Sequence, residues 1–187
     1  MSARTFEGLL SDVFSALEDC QVPAMVVGSF ASTYHGIPRS TQDLDVVVEL
    51  DASQLEKLLL RWTEKRYYVG EEAAREAVRQ RTQFNLIDPL SGWKVDFILR
   101  KEREFSRAEF ARRQPAELQG QEIQLATAED TIIAKLMWAK DSHSERQLRD
   151  VAGILDVSAE SLDHAYLQDW VKTLGLESLL DRARGPW

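Results

Sequence analysis

Apolar residues at Phe6, Leu9, Leu10, Val13, Phe14 and Leu17 follow the spacing of one helix face and predict a helix over 4–20. The unbroken apolar run 24–27 predicts a short buried strand. Gly28 and Ser29 end that run, Ser29 is suited to cap a helix over 30–36, and Pro38 follows just beyond. Residues 43–50 are rich in valine and predict a second strand. Asp51 or Ser53 then starts a helix to about residue 65, with Leu55, Leu58, Leu59 and Trp62 on one side. Residues 67–69 suggest a short strand and 71–80 a short helix. The runs 83–87 and 93–99 flank Asp88-Pro89-Leu90-Ser91-Gly92, whose turn composition predicts an antiparallel hairpin. Residues 103–113 read as helix and 122–125 as a last strand. Beyond that the pattern is helical, with Thr127/Asp130 and Ser144/Gln147 spaced like capping boxes. The expected class is α/β (α+β), a mixed β-sheet flanked by helices. Residues 1–126 form the α/β core, and 127–187 form a C-terminal helical region packed on it.

The length of 187 residues, with 44% hydrophobic and 29% charged positions, suits a globular chain with a real core. Disorder, collagen and coiled coil are excluded as descriptions of the whole. No uncharged apolar run approaches the roughly 20 residues of a membrane span. Glu7 and Asp12 make the first segment an amphipathic helix, not a signal peptide. A lone Cys20 excludes an intrachain disulfide and a zinc cluster, and points to a reducing cytoplasm. The net charge of −8 argues against a protein that coats nucleic acid. The charge is uneven: residues 61–113 hold 13 Lys+Arg against 9 Asp+Glu, a balance of +4 that leaves −12 for the rest. That basic middle either faces a polyanion or is a set of exposed helix faces with mixed charge.

The chemistry-bearing pattern is Gly28-Ser29, then thirteen residues, then Asp43-Leu44-Asp45. Alternation along a strand puts Asp43 and Asp45 on the same face. Two carboxylates side by side on an apolar strand repel and are costly to desolvate, and a divalent cation removes both penalties. Oxygen-only ligands suit magnesium or manganese. Asp96 is a third acid among apolar residues, in Val95-Asp96-Phe97. If its strand neighbours 43–50, three carboxylates can hold two ions about 3.5–4 Å apart, the arrangement for in-line nucleotidyl transfer. Gly28 and Ser29 present backbone N–H groups to a phosphate at a helix start.

These motifs resemble the nucleotidyltransferase superfamily typified by DNA polymerase beta. The form Arg39-x-Thr41-x-Asp43-x-Asp45 is similar to a small bacterial branch that includes the AbiE-type toxins of type IV toxin–antitoxin systems. Glu129-Asp130, Lys135 and Arg146-x-x-Arg149-Asp150 resemble that branch's helical motifs, and the resemblance spans about 22–155. It implies a minimal nucleotidyltransferase core. Asp43 and Asp45 would hold two Mg2+ (or Mn2+) ions on a nucleoside triphosphate. Asp96 would bind one ion and help deprotonate or orient an acceptor hydroxyl. Lys135 would meet the triphosphate, with Arg149 or Asp150 supporting the site. The acceptor would be a tRNA 3′ end, a protein side chain or a small molecule, and an antitoxin is an expected partner. Two rival readings stay open: an aminoglycoside- or lincosamide-modifying adenylyltransferase, and a non-catalytic nucleotide-binding regulator.

Bland alternatives stand beside these roles. Arg39 either steers triphosphate or pairs with Asp43. Asp96 has Lys94 or an arginine as an alternative partner on an edge strand. Lys135 is either a phosphate ligand or a snorkelling surface lysine, and Arg149 with Asp150 either a support or an interhelix ion pair. His35, His143 and His164 lack metal-ligand spacing and are expected to be structural or solvent-facing. Trp62, Trp93, Trp138 and Trp170 are expected in cores, and Trp187 is terminal. Tyr67 and Tyr68 are expected to pack rather than stack on a base.

Overall fold

The structure, a computed structural model, describes residues 5–185. In chain order the elements are α1 (Phe6–Asp19), β1 (Ala24–Val27), α2 (Gly28–His35), β2 (Asp43–Val48), α3 (Ala52–Glu64), β3 (Tyr68–Val69), α4 (Glu71–Gln80) and β4 (Gln83–Ile87). There follow β5 (Lys94–Leu99), α5 (Glu104–Arg112), β6 (Gln114–Leu118), β7 (Gln121–Leu125), α6 (Ala128–Ser142), α7 (Glu145–Ser158), α8 (His164–Leu174) and α9 (Glu177–Ala183). The strands form one mixed sheet in the order β3-β4-β5-β2-β1-β7-β6. The expected α/β class is therefore what the chain adopts. Trp187 and the first residue of the predicted N-terminal helix lie outside the described residues.

The chain divides into two compact units. Unit 1 draws on Met1–Val26 and Thr41–Leu125, unit 2 on Val27–Ser40 and Ala126–Trp187. The segment 27–40 thus goes with the C-terminal helices, although in sequence it sits inside the α/β part.

Unit 1 is built around the sheet. β2 pairs in parallel with β5, and β5 antiparallel with β4. The turn 88–92 closes the predicted hairpin: the buried Asp88 carboxylate accepts from the Leu90 N–H and the Ser91 hydroxyl. α3 starts in a full capping box between Asp51 and Gln54. Its apolar face sends Trp62 onto Phe97 (4.9 Å between ring centroids), and Phe97 stacks on Phe84 (5.2 Å). The predicted last strand has an unforeseen partner, β6. Its sequence, Gln-Pro-Ala-Glu-Leu, lacks an apolar alternation, and Pro115 is tolerated because β6 is an edge strand. Gln119 and Gly120 both take positive φ (49° and 78°), as the tight turn joining β6 to β7 requires.

Unit 2 is helical. α2 packs on α6 and α7, and α9 on α7. Thr127 caps α6 by accepting from the Asp130 N–H, while its own hydroxyl donates to the Asp130 carboxylate. The expected Ser144/Gln147 box is absent: Ser144 makes no side-chain cap, and the Gln147 side chain has another use, described below. Trp138 is also a correction, since it is 62% exposed on α6 and packs in no core.

Candidate active site

The acid face lies on unit 1. In the β2–β5 register Asp43 is opposite Lys94, and Asp45 is opposite Asp96. Paired residues of neighbouring strands share a face, and so do residues two apart. Asp43, Asp45, Lys94 and Asp96 therefore stand on one face of the sheet, with Asn85 joining from β4 opposite Asp96. β5 is an interior strand, not the edge strand of the bland reading. The Lys94 ammonium lies 2.9 Å from Asp96 Oδ2 and 3.5 Å from Asp43 Oδ1. Asn85 Nδ2 donates to Asp96 Oδ1 at 2.9 Å. The Asp96 bond raises the Lys94 pKa above its ordinary value and outweighs partial burial. Lys94 is legible in retrospect: it precedes Asp96 by two residues and so had to share its face.

Among the described residues no three His, Cys, Asp or Glu side chains are placed to enclose a metal ion. The ammonium of Lys94 sits instead between two of the acids. It is a cation built into the chain, at a place where carboxylates from two strands converge. The donor set, all carboxylate oxygen, suits a hard divalent ion. The chemistry of the acids, though not their present spacing, suits such an ion.

The cation cluster lies in unit 2. Gly28 opens α2 with φ 65°, a left-handed conformation that favours glycine. Ser29 does not cap α2, which has no side-chain cap. Its hydroxyl instead accepts a short hydrogen bond from the Arg39 guanidinium. Arg39 does not pair with Asp43. Its Nε is 3.0 Å from Asp150 Oδ1 and its Nη2 is 3.1 Å from Oδ2, a forked contact 111 residues away in sequence. Lys135 is buried, not a snorkelling surface lysine. Its Nζ lies 2.6 Å from Asp150 Oδ2 and 3.1 Å from Gln147 Oε1. Burial alone would raise the Asp150 pKa, but the hydrogen bonds from Arg39 and Lys135 and their charges outweigh it, and the net shift is downward. Arg149 does not pair with Asp150. It reaches Glu145 on its own helix at 3.9 Å.

Backbone packing sets where Arg39 sits. A Cβ on Gly36 would lie 2.8 Å from the Ile154 nitrogen and 2.9 Å from the Gly153 carbonyl carbon. The segment 36–39 therefore lies directly on α7, and α7 carries Asp150. Nothing in the local sequence pattern marks Gly36 and Gly153 as a pair. His35 has a structural role: its Nε2 is 2.8 Å from the Ala126 carbonyl, and its own carbonyl accepts from Ser158. Burial lowers its pKa, outweighing that bond and the Glu129 charge.

The basic middle is largely engaged with acids inside unit 1. Arg75 reaches Glu56, Glu71 and Glu72, Arg100 reaches Glu49, and Arg61 reaches Asp19. This is the mixed-charge surface of the bland reading. Tyr67 is buried with its hydroxyl on Asp12, whereas Tyr68 is 64% exposed and is not packed. No helix of the described residues is long and apolar enough to cross a membrane.

No protein-family profile matches the sequence, and no curated protein matches it. Solved structures do. ANT(2'')-Ia in complex with adenylyl-2''-tobramycin aligns with a TM-score of 0.57 at 13% identity, covering 93% of this chain and 96% of that one. The lincosamide antibiotic adenylyltransferase LnuA, lincomycin-bound, aligns at 0.53 and 12% identity, over 83% and 99%. An antigenic nucleotidyltransferase-like protein from Paracoccidioides brasiliensis aligns at 0.53 and 14%, over 92% and 90%. The chain thus has the fold of nucleotidyltransferases.

Proposed function

We propose that this chain is a magnesium-dependent nucleotidyltransferase, moving a nucleoside monophosphate from a nucleoside triphosphate to a hydroxyl acceptor. The observation that carries the reading is Asp45 facing Asp96 across β2 and β5, with Asp43 on the same face and a cation, the Lys94 ammonium, already held there. The nucleotidyltransferase fold supports it.

When bound, magnesium or manganese supplies positive charge that offsets the negative charge developing on the phosphoryl oxygens. Asp43, Asp45 and Asp96 are the residues that would hold it. Asn85 fixes the rotation of the Asp96 carboxylate through Oδ1, so Oδ2 is the oxygen that takes the acceptor proton once Lys94 withdraws. The acceptor oxygen bonds to the α-phosphorus, the bond to the bridging oxygen breaks, and pyrophosphate leaves with the electron pair. Within unit 2, the Gly28–Ser29 backbone, Arg39 and Lys135 are by themselves a set suited to a phosphate, with Asp150 holding the two cations in place. Arg149 and the exposed Arg146 contribute further positive charge on α7. The Arg39-x-Thr41-x-Asp43-x-Asp45 form favours a toxin of a type IV toxin–antitoxin system, acting on tRNA or protein in the cytoplasm. A helix-turn-helix reading frame beside the gene would support that role.

A second reading keeps the chemistry and changes the acceptor to an antibiotic, in line with the two adenylyltransferase neighbours. The test is incubation with each α-labelled nucleoside triphosphate, magnesium, and bulk tRNA, cell extract, tobramycin or lincomycin in turn. Transfer by the native chain, reduced about 10³-fold or more in Asp43→Ala, is expected. No transfer to any acceptor, together with no triphosphate binding by calorimetry, contradicts the proposal and leaves the regulator reading.

A further inference from the structure

Unit 2 contains a cleft of about 640 Å³, within the size range of small-ligand sites. One wall is the Ile37–Arg39 segment, a second is α7 from Arg149 to Asp156, and the third is the end of α9 with Arg184. Three arginines line it against two aspartates, Asp150 and Asp156. The aspartates do not cancel the arginines. Asp150 is held by both Arg39 and Lys135, and that cluster alone carries a surplus positive charge.

Arg149 and Arg184 are differently placed from Arg39. Their side chains are 65% and 46% exposed, and their ion pairs are long: 3.9 Å to Glu145 and 3.8 Å to Asp181, each on its own helix or its end. Exposed pairs of this kind contribute little and are readily exchanged. Two planar guanidiniums are thus available to a ligand, and each can grip a phosphate through two parallel N–H groups. Ile37, 61% exposed beside them, supplies an apolar surface for the body of the ligand.

We infer that this cleft binds a nucleotide-sized, phosphate-bearing ligand, with Arg149 and Arg184 as its phosphate grips. Only the ligand's role as acceptor rests on the nucleotidyltransferase reading; its binding does not.

The test is fluorescence anisotropy of the full chain with a labelled single-stranded RNA tetranucleotide, at low salt and with EDTA present. Arg149→Glu and Arg184→Glu are each expected to weaken binding at least tenfold with unchanged circular dichroism. Arg79→Glu, an equal charge change on the exposed surface of unit 1, should stay within about twofold. Should a Glu variant not fold, Arg149→Gln and Arg184→Gln carry the same comparison, with a smaller expected loss of about threefold. Competition by inorganic phosphate identifies the phosphate group alone as the ligand feature, and competition by AMP but not by phosphate identifies a mononucleotide. Competition only by unlabelled RNA identifies a nucleic-acid strand, and each of these results sustains the site. Equal affinity in the Arg149, Arg184 and Arg79 variants, or no binding of any of these probes, overturns it. Because no transfer is read, a chain that proves inactive with every acceptor still gives a full answer. Wild-type binding by Asp45→Asn shows that the cleft and the acid face fail or stand separately.

Discussion

The two units use the same elementary interaction, a cation shared between carboxylates or a carboxylate shared between cations, and differ in how far it opens to water. On unit 1 one ammonium, 32% exposed, serves two acids, of which Asp43 is 55% exposed at its side chain and Asp96 14%. In unit 2 one carboxylate serves two cations, with side-chain exposures of 9% for Asp150 and 6% for Lys135. A partly exposed pair is screened by water and contributes little, so its cation can be exchanged. A buried, fully bonded cluster cannot lose a member without leaving uncompensated charge. The acid face is therefore suited to exchanging ligands, and the cation cluster to holding Arg39 and Lys135 in one fixed arrangement.

The largest expected effect that would break this contrast lies on the acid face. Asp45→Asn should lower nucleotidyl transfer about 10³-fold or more while shifting the melting temperature by only a degree or two. A large loss of stability instead would make Asp45 a structural residue. In unit 2 the order reverses. Asp150→Ala should cost about 3–5 kcal/mol, because Arg39 and Lys135 lose their shared counter-charge, and the melting temperature should fall by roughly 6–20 °C. Gly36→Ala should cost about 1–3 kcal/mol, since the new Cβ meets α7 backbone that cannot swing aside. Chemical denaturation measures both.

The smallest effect is on pH dependence. His35 has its pKa lowered by burial, so the unfolded chain takes up a proton near the ordinary value of 6.5 before the folded chain does. Its contribution is intact above that value and declines as pH falls below it, by at most about 1.4 kcal/mol per pH unit. Asp150, with its pKa lowered, stabilises above the ordinary 3.8 and loses that contribution only at lower pH. Melting curves between pH 7 and 5 should therefore slope downward in the native chain and flatten in His35→Asn.

The acid face was largely legible from sequence because strand alternation alone aligns Asp43 with Asp45. Its completion by Asp96 needed only that β2 and β5 be neighbours. The cation cluster was not legible in its partners. Arg39 reaches Asp150 across 111 residues, through a contact between Gly36 and Gly153 that no periodicity marks. Gln147, spaced as a cap, faces Lys135 instead, because a side chain near a helix start satisfies whichever strong donor is closest. α4 could be read to the residue because acids at its start and Arg79 in its last turn bound it, whereas β6 escaped notice because an edge strand can carry proline and glutamate. Trp138 escaped too: helical spacing predicts a buried face, but α6 has apolar residues nearly all round.

The most direct measurement is Mn2+ binding, followed by electron paramagnetic resonance, in the native chain, Lys94→Met and Asp45→Asn/Asp96→Asn. If Lys94 holds the place of a divalent ion, the native chain binds Mn2+, Lys94→Met binds it more tightly, and the double variant does not bind it. Absence of Mn2+ binding in both the native chain and Lys94→Met, with nucleoside triphosphate present, contradicts the account.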